Sequence, residues 1–151
     1  MRKILATAAT LSLAGLGAIV PATSAQAASA ACDTAWRNGG SGYVFAYNYT
    51  NCSGYFGKAS GDDSNWGNSA GGFQGSDNNR ASSIVHKGTS GMAVKVYSGT
   101  GYTGGHTCLK KSEYYMSSLI GHTYNNGVSV NNTISSHKWV WESSCSKFLN
   151  S

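Results

Sequence analysis

The fold is decided by residues 94–104, VKVYSGTGYTG, and residues 131–136, NNTISS. Val94 to Tyr97 alternate as in a β-strand. Four residues separate Tyr97 from Tyr102, and Gly104 follows after one more. A glycine there suits the positive φ that folds a hairpin over its sheet, and the two aromatic rings can pack across it. We expect the serines of NNTISS to hydrogen-bond the backbone groups that this hairpin frees.

The first half of the chain repeats this order. Residues 43–47, YVFAY, predict a strand, and residues 78–83, NNRASS, precede a second strand, IVH. Tyr49, Tyr55 and Gly57 are the expected counterparts of the second-half aromatics and glycine, with five intervening residues in place of four. We therefore expect a first hairpin that is bulged or uses another aromatic. Two ordered copies predict two Greek keys, at about 32–87 and 92–145, packed as a sandwich.

Composition agrees with many short strands. The chain has 20 glycines, its single proline is Pro21, and glutamate occurs only at Glu113 and Glu142. Scarce helix formers and frequent turn formers favour an all-β domain. Four tryptophans and nine tyrosines argue against disorder.

The N-terminus has the features of a secretory signal peptide. A basic start at Arg2 and Lys3 precedes an apolar run and the small-x-small sequence that ends at Ala27. We place the cleavage after Ala27, with Ala30 as the second choice, and expect residues 28–151 to form one secreted, monomeric domain. Removal of Arg2 and Lys3 lowers the formal net charge of +5 by two, and no basic stripe remains. We expect neither nucleic-acid binding nor a membrane span.

The cysteines are Cys32, Cys52, Cys108 and Cys145. An even number in an exported chain predicts two disulfides, for which three pairings exist. We favour Cys32–Cys52 and Cys108–Cys145, one bridge in each half, each stabilising the fold by roughly 3 to 4 kcal/mol. The chain has no CxxC pair of the kind that would indicate a zinc site.

Taken together, these stretches resemble a known family. The paired signature is that of the βγ-crystallin double Greek-key β-sandwich. The sequence is also similar to that of secreted actinobacterial metalloproteinase inhibitors, peptidase inhibitor family thirty-six. The segments that carry this similarity are GYVFAY, GDDSNW, NNRASSI, VYSGTGYTGG and NNTISSHKW. The resemblance covers residues 32–145 and implies a non-catalytic protein whose partner is an extracellular metalloprotease. That family braces its reactive loop with a short disulfide, whereas residues 70–76 contain no cysteine. We therefore expect a floppy loop and weakened inhibition.

Two connections are candidates for the inhibitory loop. Residues 57–74 include Trp66 and Phe73, and residues 114–123 include Met116, Leu119 and Ile120. A thermolysin-like cleft prefers an apolar residue beside the scissile bond, and these side chains could supply one. The alternative is that they cover the core.

The resemblance also implies two calcium sites, with no cofactor required. Carried over, the ligand positions are Asn78, Asn79, Arg80, Ser82, Asn131, Asn132, Thr133 and Ser135. Because nearly all of these groups are neutral, we expect weak binding, with dissociation constants of roughly 10⁻⁴ to 10⁻³ M. The alternative is that the serines only fix the hairpins.

Catalysis is not indicated. The chain has no HExxH or GxSxG, its histidines are separated, and adjacent Asp62 and Asp63 would point to opposite sides of an extended segment. A third function is that of a carbohydrate-binding module using Trp36, Trp66, Trp139 and Trp141. The last two alternate along one strand, which predicts that they share a face in the core.

Overall fold

A computed structural model of the chain describes residues 29–150. The elements are helix α1 (Ala30–Asn38) and strands β1 (Val44–Tyr49), β2 (Ser53–Ala59), β3 (Ser83–His86), β4 (Ala93–Tyr97), β5 (His106–Leu109), β6 (Tyr115–Met116), β7 (Ser136–Val140) and β8 (Phe148–Leu149). The predicted signal peptide, residues 1–27, lies outside the described residues. None of the helices within residues 29–150 is long and apolar enough to cross a membrane.

The strands form two four-stranded sheets, ordered β2-β1-β3-β6 and β7-β4-β5-β8. All neighbours are antiparallel except β5 and β8. β6 comes from the second half of the chain but pairs with β3 of the first. In the other direction, Asp63 of the first half pairs with His137 of β7 through backbone hydrogen bonds of 3.0 and 2.9 Å. Each half therefore completes the sheet of the other, as the predicted pair of Greek keys requires.

The core lies between the two sheets. Val44, Ala46 and Ile84 from the first sheet pack with Val94 and Leu109 from the second, and all are almost fully buried. A second apolar cluster covers the outer face of the first sheet, where Phe45, Tyr47 and Val85 meet α1. Because that sheet is covered on both faces, its central strands are continuously apolar.

Helix α1 was not predicted from the sequence. Its nine residues begin after Ser29, whose side chain accepts a hydrogen bond from the Cys32 backbone N–H. The Trp36 indole N–H donates to the backbone oxygen of His86 at 3.2 Å. This helix covers the outer face of the first sheet. Tertiary contacts and a disulfide hold it, because a segment of nine residues is too short to be stable alone even with three alanines.

Both favoured disulfides are confirmed. Cys32–Cys52 attaches α1 to the β1–β2 turn, with the Cα atoms 5.0 Å apart. Cys108–Cys145 attaches β5 to the segment after β7, with Cα atoms 6.1 Å apart. One bridge therefore serves each half.

The register predicted for the first hairpin is wrong. Its positive-φ residues are Asn51, Cys52 and Gly54, at 57°, 52° and 68°. They match Gly101, Tyr102 and Gly104 of the second hairpin, at 65°, 63° and 76°. Gly57 lies within β2 and has no positive φ; a Cβ there would lie 2.7 Å from the Phe73 ring. The matching sequence is therefore Tyr47-x4-Cys52-x-Gly54, in which a disulfide replaces the second aromatic ring. The pairing of β1 with β2 shifts between Ala46 and Tyr47, and Tyr47 takes the place expected for Tyr49, so the expectation of a bulge or another aromatic is confirmed.

The predicted role of the last serine in each copy is confirmed. Ser83 Oγ donates to the Tyr49 backbone oxygen at 2.7 Å and accepts from the Cys52 N–H at 3.1 Å. Ser136 Oγ donates to the Gly99 oxygen at 2.6 Å and accepts from the Tyr102 N–H at 3.2 Å. Each serine thus satisfies both freed backbone groups of its own hairpin.

Candidate functional site

The predicted inhibitory-loop residues are divided between the core and the surface. Trp66, Phe73, Met116 and Leu119 are fully buried, each with 0% of its surface exposed. Ile120 is 63% exposed. Four of these five side chains therefore cannot enter a protease cleft, because they fill the space between the two sheets.

Trp66 and Phe73 instead close the base of an exposed loop, residues 67–72. Their ring centroids are 3.9 Å apart with an interplanar angle of 22°, so the rings stack directly. All six residues between them are exposed. The buried aromatic pair therefore fixes the distance between the two ends of what we call the 67–72 loop.

A buried carboxylate gives the 67–72 loop its second anchor. Asp63 is 4% exposed, and its Oδ2 accepts hydrogen bonds from the N–H groups of Gly72 and Phe73 at 3.1 and 3.0 Å. Its Oδ1 accepts from the Asn65 N–H at 3.0 Å. Hydrogen bonds to an ionised carboxylate are stronger than those between neutral groups, so this one side chain holds both ends of the loop.

Further hydrogen bonds lie within the 67–72 loop. Asn68 Oδ1 accepts from the Ala70 N–H at 2.8 Å, and the Asn68 backbone oxygen accepts from the Gly75 N–H at 2.8 Å. The Gln74 side-chain amide donates to the Gly71 oxygen at 3.1 Å. Hydrogen bonds and ring stacking therefore take the place of the missing disulfide, which argues against the expectation of a floppy loop.

His137 joins this loop to the second sheet. Its Nδ1 accepts from the Trp66 indole N–H at 2.9 Å, which places the ring proton on Nε2, where it donates to the Gly61 oxygen at 3.0 Å. The ring also contacts Phe73 edge-on, with centroids 5.6 Å apart. Burial lowers the pKa of His137 to about 4, against the opposing effects of the Gly61 hydrogen bond and of Asp63, so the ring is neutral at neutral pH.

The other predicted connection exposes two large side chains, Tyr114 at its start and Ile120. Leu119 is buried and its N–H donates to the Ser82 oxygen at 2.8 Å. The His122 N–H donates to the Leu119 oxygen at 3.2 Å, and Gly121 has a φ of 85°. Ile120 therefore sits at the tip of a closed turn, not in an extended, substrate-like segment.

The calcium-ligand candidates form two reciprocal pairs. Ser135 Oγ donates to Asn79 Oδ1 at 3.1 Å, and Ser82 Oγ donates to Asn132 Oδ1 at 3.0 Å. Asn79 and Asn132 have matching positive φ angles of 59° and 56°. Each pair takes its serine from one motif and its asparagine from the other, so both clusters lie at the junction of the two Greek keys.

The remaining four candidates are not equivalent. The Oδ1 atoms of Asn78 and Asn131 are buried without a hydrogen-bond partner among residues 29–150. Arg80 lies 3.8 Å from Asp77 and covers the Phe56 ring. Thr133 Oγ1 donates to the Val130 oxygen at 3.0 Å. Two buried carbonyl oxygens without donors, one in each motif, fit a cation that prefers oxygen ligands.

Comparison with known proteins identifies the fold. No family model and no curated protein matches the chain. A structure from work on the evolution of the eye-lens βγ-crystallin domain fold matches with a TM-score of 0.50 and 20% identity, covering 65% of this chain and 84% of that one. A βγ-crystallin from an archaeon matches with a TM-score of 0.46 and 22% identity, covering 67% of this chain and 100% of that one.

The chain has a βγ-crystallin fold.

Within this βγ-crystallin fold, the predicted tryptophans have different environments. Trp66 is fully buried, Trp36 and Trp139 are half-buried, and Trp141 is 62% exposed. The expectation that Trp139 and Trp141 share a core face is wrong, because β7 ends at Val140 and the chain turns.

The separated histidines do not assemble a metal centre. Within residues 29–150, no group of three or more His, Cys, Asp or Glu side chains is placed to hold a metal ion. His86 and His137 are buried on different strands, and burial lowers the pKa of each.

Asp63, Asn68 and Ala70 were missed as site residues from the sequence. The available signal was the segment GDDSNW followed by Gly71-Gly72, since a carboxylate near paired glycines can bind close backbone N–H groups. Local spacing could not show that Asp63 reaches Phe73, ten residues away.

Proposed function

We propose that the chain is a secreted, non-catalytic βγ-crystallin-fold protein that inhibits an extracellular metalloprotease through its 67–72 loop. The main support for this proposal is the closed base of the loop. The Trp66 and Phe73 rings stack there with their centroids 3.9 Å apart, while the residues between them are exposed. The two disulfides favour an oxidising compartment, in agreement with the predicted signal peptide.

A braced loop is what tight inhibition requires. A flexible segment loses conformational entropy when a protease orders it, which reduces affinity, whereas a pre-organised segment avoids most of that loss. Asp63, Trp66 and Phe73 hold the ends of the loop, and Asn68 restrains its interior. Ala70 is the small apolar residue at the exposed part that would face the cleft.

The test is a titration of the purified protein against a panel of thermolysin-like metalloproteases and one serine protease. We expect stoichiometric slowing of hydrolysis by at least one metalloprotease. Ala70→Glu changes only an exposed loop side chain and should weaken inhibition at least tenfold, about 1.4 kcal/mol, with an unchanged melting temperature. The control is Val128→Glu on a different exposed turn, which should inhibit normally. Unchanged hydrolysis at a large molar excess of protein across the panel would contradict the proposal.

A second candidate function is calcium binding at the two Asn–Ser pairs. It is favoured by the buried Oδ1 atoms of Asn78 and Asn131, which lack donors among the described residues. Asn79 with Ser135, and Asn132 with Ser82, would supply further oxygens, and the Ser98 carbonyl lies 3.3 Å from Ser135 Oγ. Because these ligands are neutral, binding would be weak and would chiefly stabilise the junction between motifs.

Calorimetric titration with calcium tests this function. We expect heat of binding and a higher melting temperature at millimolar calcium, both reduced in the double variant Ser82→Ala, Ser135→Ala. Ser146→Ala, outside both clusters, is the matched control. No heat and no stabilisation at millimolar calcium would reject calcium binding while leaving the inhibitor proposal intact.

A further inference from the structure

A cleft of about 450 Å³ lies beside the junction of the two sheets. Three connections line it: the turn at Gly42, residues 60–62 after β2, and residues 88–92 between β3 and β4. Trp139 on β7 forms its aromatic wall. The volume is within the range of small-molecule sites, roughly 300 to 1,000 Å³.

The aromatic wall is held in place from two sides. Trp139 meets His86 edge-on, with ring centroids 5.1 Å apart, and packs against the main core. The Trp139 backbone N–H donates to Asp62 Oδ1 at 2.8 Å. The indole position is therefore fixed before any ligand arrives, and the second oxygen of the exposed Asp62 carboxylate is left to accept further hydrogen bonds.

The polar lining consists of hydroxyls and one carboxylate. Ser60, Thr89 and Ser90 are exposed around the cleft together with Asp62. None of the residues lining the cleft is a lysine, arginine or histidine. One negative charge disfavours an anionic ligand, and three hydroxyls around one flat ring suit a neutral ligand with many hydroxyl groups.

The cleft continues past Asp62 into a second groove of about 360 Å³. The two share Ser60, Gly61 and Asp62, and the second is also lined by Tyr43 and Lys58. Lys58 lies over the Tyr43 ring, 4.5 Å from its centroid. Two aromatic side chains on either side of one carboxylate match a ligand of several linked rings better than a single small molecule.

We propose that this cleft binds a neutral oligosaccharide, with one sugar ring stacked on Trp139 and its hydroxyls bound by Asp62. The apolar C–H face of a pyranose ring covers an indole, while its equatorial hydroxyls donate to a carboxylate and exchange hydrogen bonds with Thr89 and Ser90. A quaternary ammonium ion could also bind a tryptophan ring that lies beside an aspartate. The three hydroxyls and the absence of an aromatic cage in the lining favour the sugar.

The test is titration of the ¹⁵N-labelled protein with tetrameric fragments of cellulose, chitin, xylan and mannan. We expect saturable shifts at residues 60–62, residues 88–92 and the Trp139 indole N–H for at least one fragment. That N–H is buried and has no acceptor among residues 29–150, so its resonance reports a change in the surroundings of the indole when a ligand stacks on the ring.

Matched variants locate the site. Asp62→Asn retains an oxygen for the Trp139 N–H but loses the charge, and should weaken binding at least tenfold; Glu142→Gln, another exposed carboxylate, should not. Trp139→Phe should weaken binding where Trp141→Phe does not. If the Phe variant unfolds, the Asp62 pair still decides the result.

Three outcomes overturn the proposal. The first is that no fragment gives a saturable shift at about 10 mM, far above a 1 mM dissociation constant. The second is that Asp62→Asn leaves the affinity unchanged. The third is that tetramethylammonium binds at the same residues more tightly than every sugar.

Discussion

A single buried imidazole connects the core of this protein to its candidate inhibitory loop. His137 accepts the Trp66 indole N–H through Nδ1, and this hydrogen bond requires the neutral ring. If the ring were protonated, Nδ1 would carry a hydrogen and the two donors would face each other. The pH dependence of stability should therefore reveal this contact.

We predict that the free energy of unfolding falls as the pH falls from 6.5 to about 4. His137 has an ordinary pKa of 6.5 in the unfolded chain and a pKa of about 4 in the fold. Between these values the unfolded state binds more protons, so acid favours unfolding by about 1.4 kcal/mol per pH unit, about 3 kcal/mol in all. Urea denaturation at several pH values measures this slope.

His137→Asn is the matched variant for the pH experiment. Its amide oxygen can take the place of Nδ1, but the side chain does not titrate, so the slope should become clearly shallower. The same substitution at the partly exposed His106 should leave most of the slope in place. An equal slope in wild type and His137→Asn would show that other groups dominate.

Asp63 and its neighbour Asp62 offer a second comparison at this scale. Asp63 accepts hydrogen bonds on both carboxylate oxygens, and Oδ2 alone accepts two. An asparagine has only one oxygen, so Asp63→Asn leaves at least one N–H facing the amide NH₂ and should lower stability by about 2 kcal/mol. Asp62→Asn retains its one acceptor, so we expect a change below about 0.5 kcal/mol. Chemical denaturation measures both, and proteolysis should cut the 67–72 loop faster in Asp63→Asn alone. Equal effects of the two substitutions would contradict the anchoring role of Asp63.

Among the elements, α1 is the one that the sequence concealed. It is a short helix that would be marginal in isolation. Its stability comes from the Ser29 cap, the Cys32–Cys52 bridge and the packing of Trp36 on the first sheet. The sequence analysis missed this helix because its length gives a weak local signal and the contacts that stabilise it come from distant residues.

We predict that Ser29→Ala lowers the stability of the mature protein by about 1 kcal/mol, the usual value for an N-cap. Cleavage after Ala27 leaves this cap in place, whereas cleavage after Ala30 removes it together with the first helical residue. We therefore predict that a chain processed during export begins at Ala28, which N-terminal sequencing of the culture supernatant would show. Thermal melts of wild type, Ser29→Ala and the control Ser41→Ala, outside the helix, measure the effect. A melting temperature of Ser29→Ala equal to that of wild type would rule out a stabilising cap.

At the scale of the whole molecule, the two halves are joined by shared strand pairing, hydrogen bonds and core packing. β6 of the second half pairs with β3 of the first, and Asp63 of the first half pairs with β7 of the second. The two Asn–Ser pairs link one motif to the other, and residues from both halves form one core cluster. Unfolding of either Greek key would therefore remove strand pairing from the sheet of the other.

We predict a single unfolding transition that persists after either disulfide is removed. Removing Cys32–Cys52 should lower stability by about 3 kcal/mol and removing Cys108–Cys145 by about 4 kcal/mol, because the bridges close loops with sequence separations of 20 and 37. Circular dichroism and tryptophan fluorescence should give coincident urea curves in each Cys→Ser pair. Two separated transitions would show that the halves fold independently.

The sequence favoured one of three possible disulfide pairings, and by itself it determined the order of the two repeated hairpins and the fold. These properties follow from local patterns, since strand alternation, positive-φ turns and the serine that satisfies a hairpin are all fixed within a few residues. Only the tertiary structure decided that Cys52 replaces an aromatic ring, that each serine meets the asparagine of the other motif, and that Trp66 and Phe73 close a loop. Those contacts depend on how sheets and connections pack across long separations, as with Trp66 and His137, 71 residues apart.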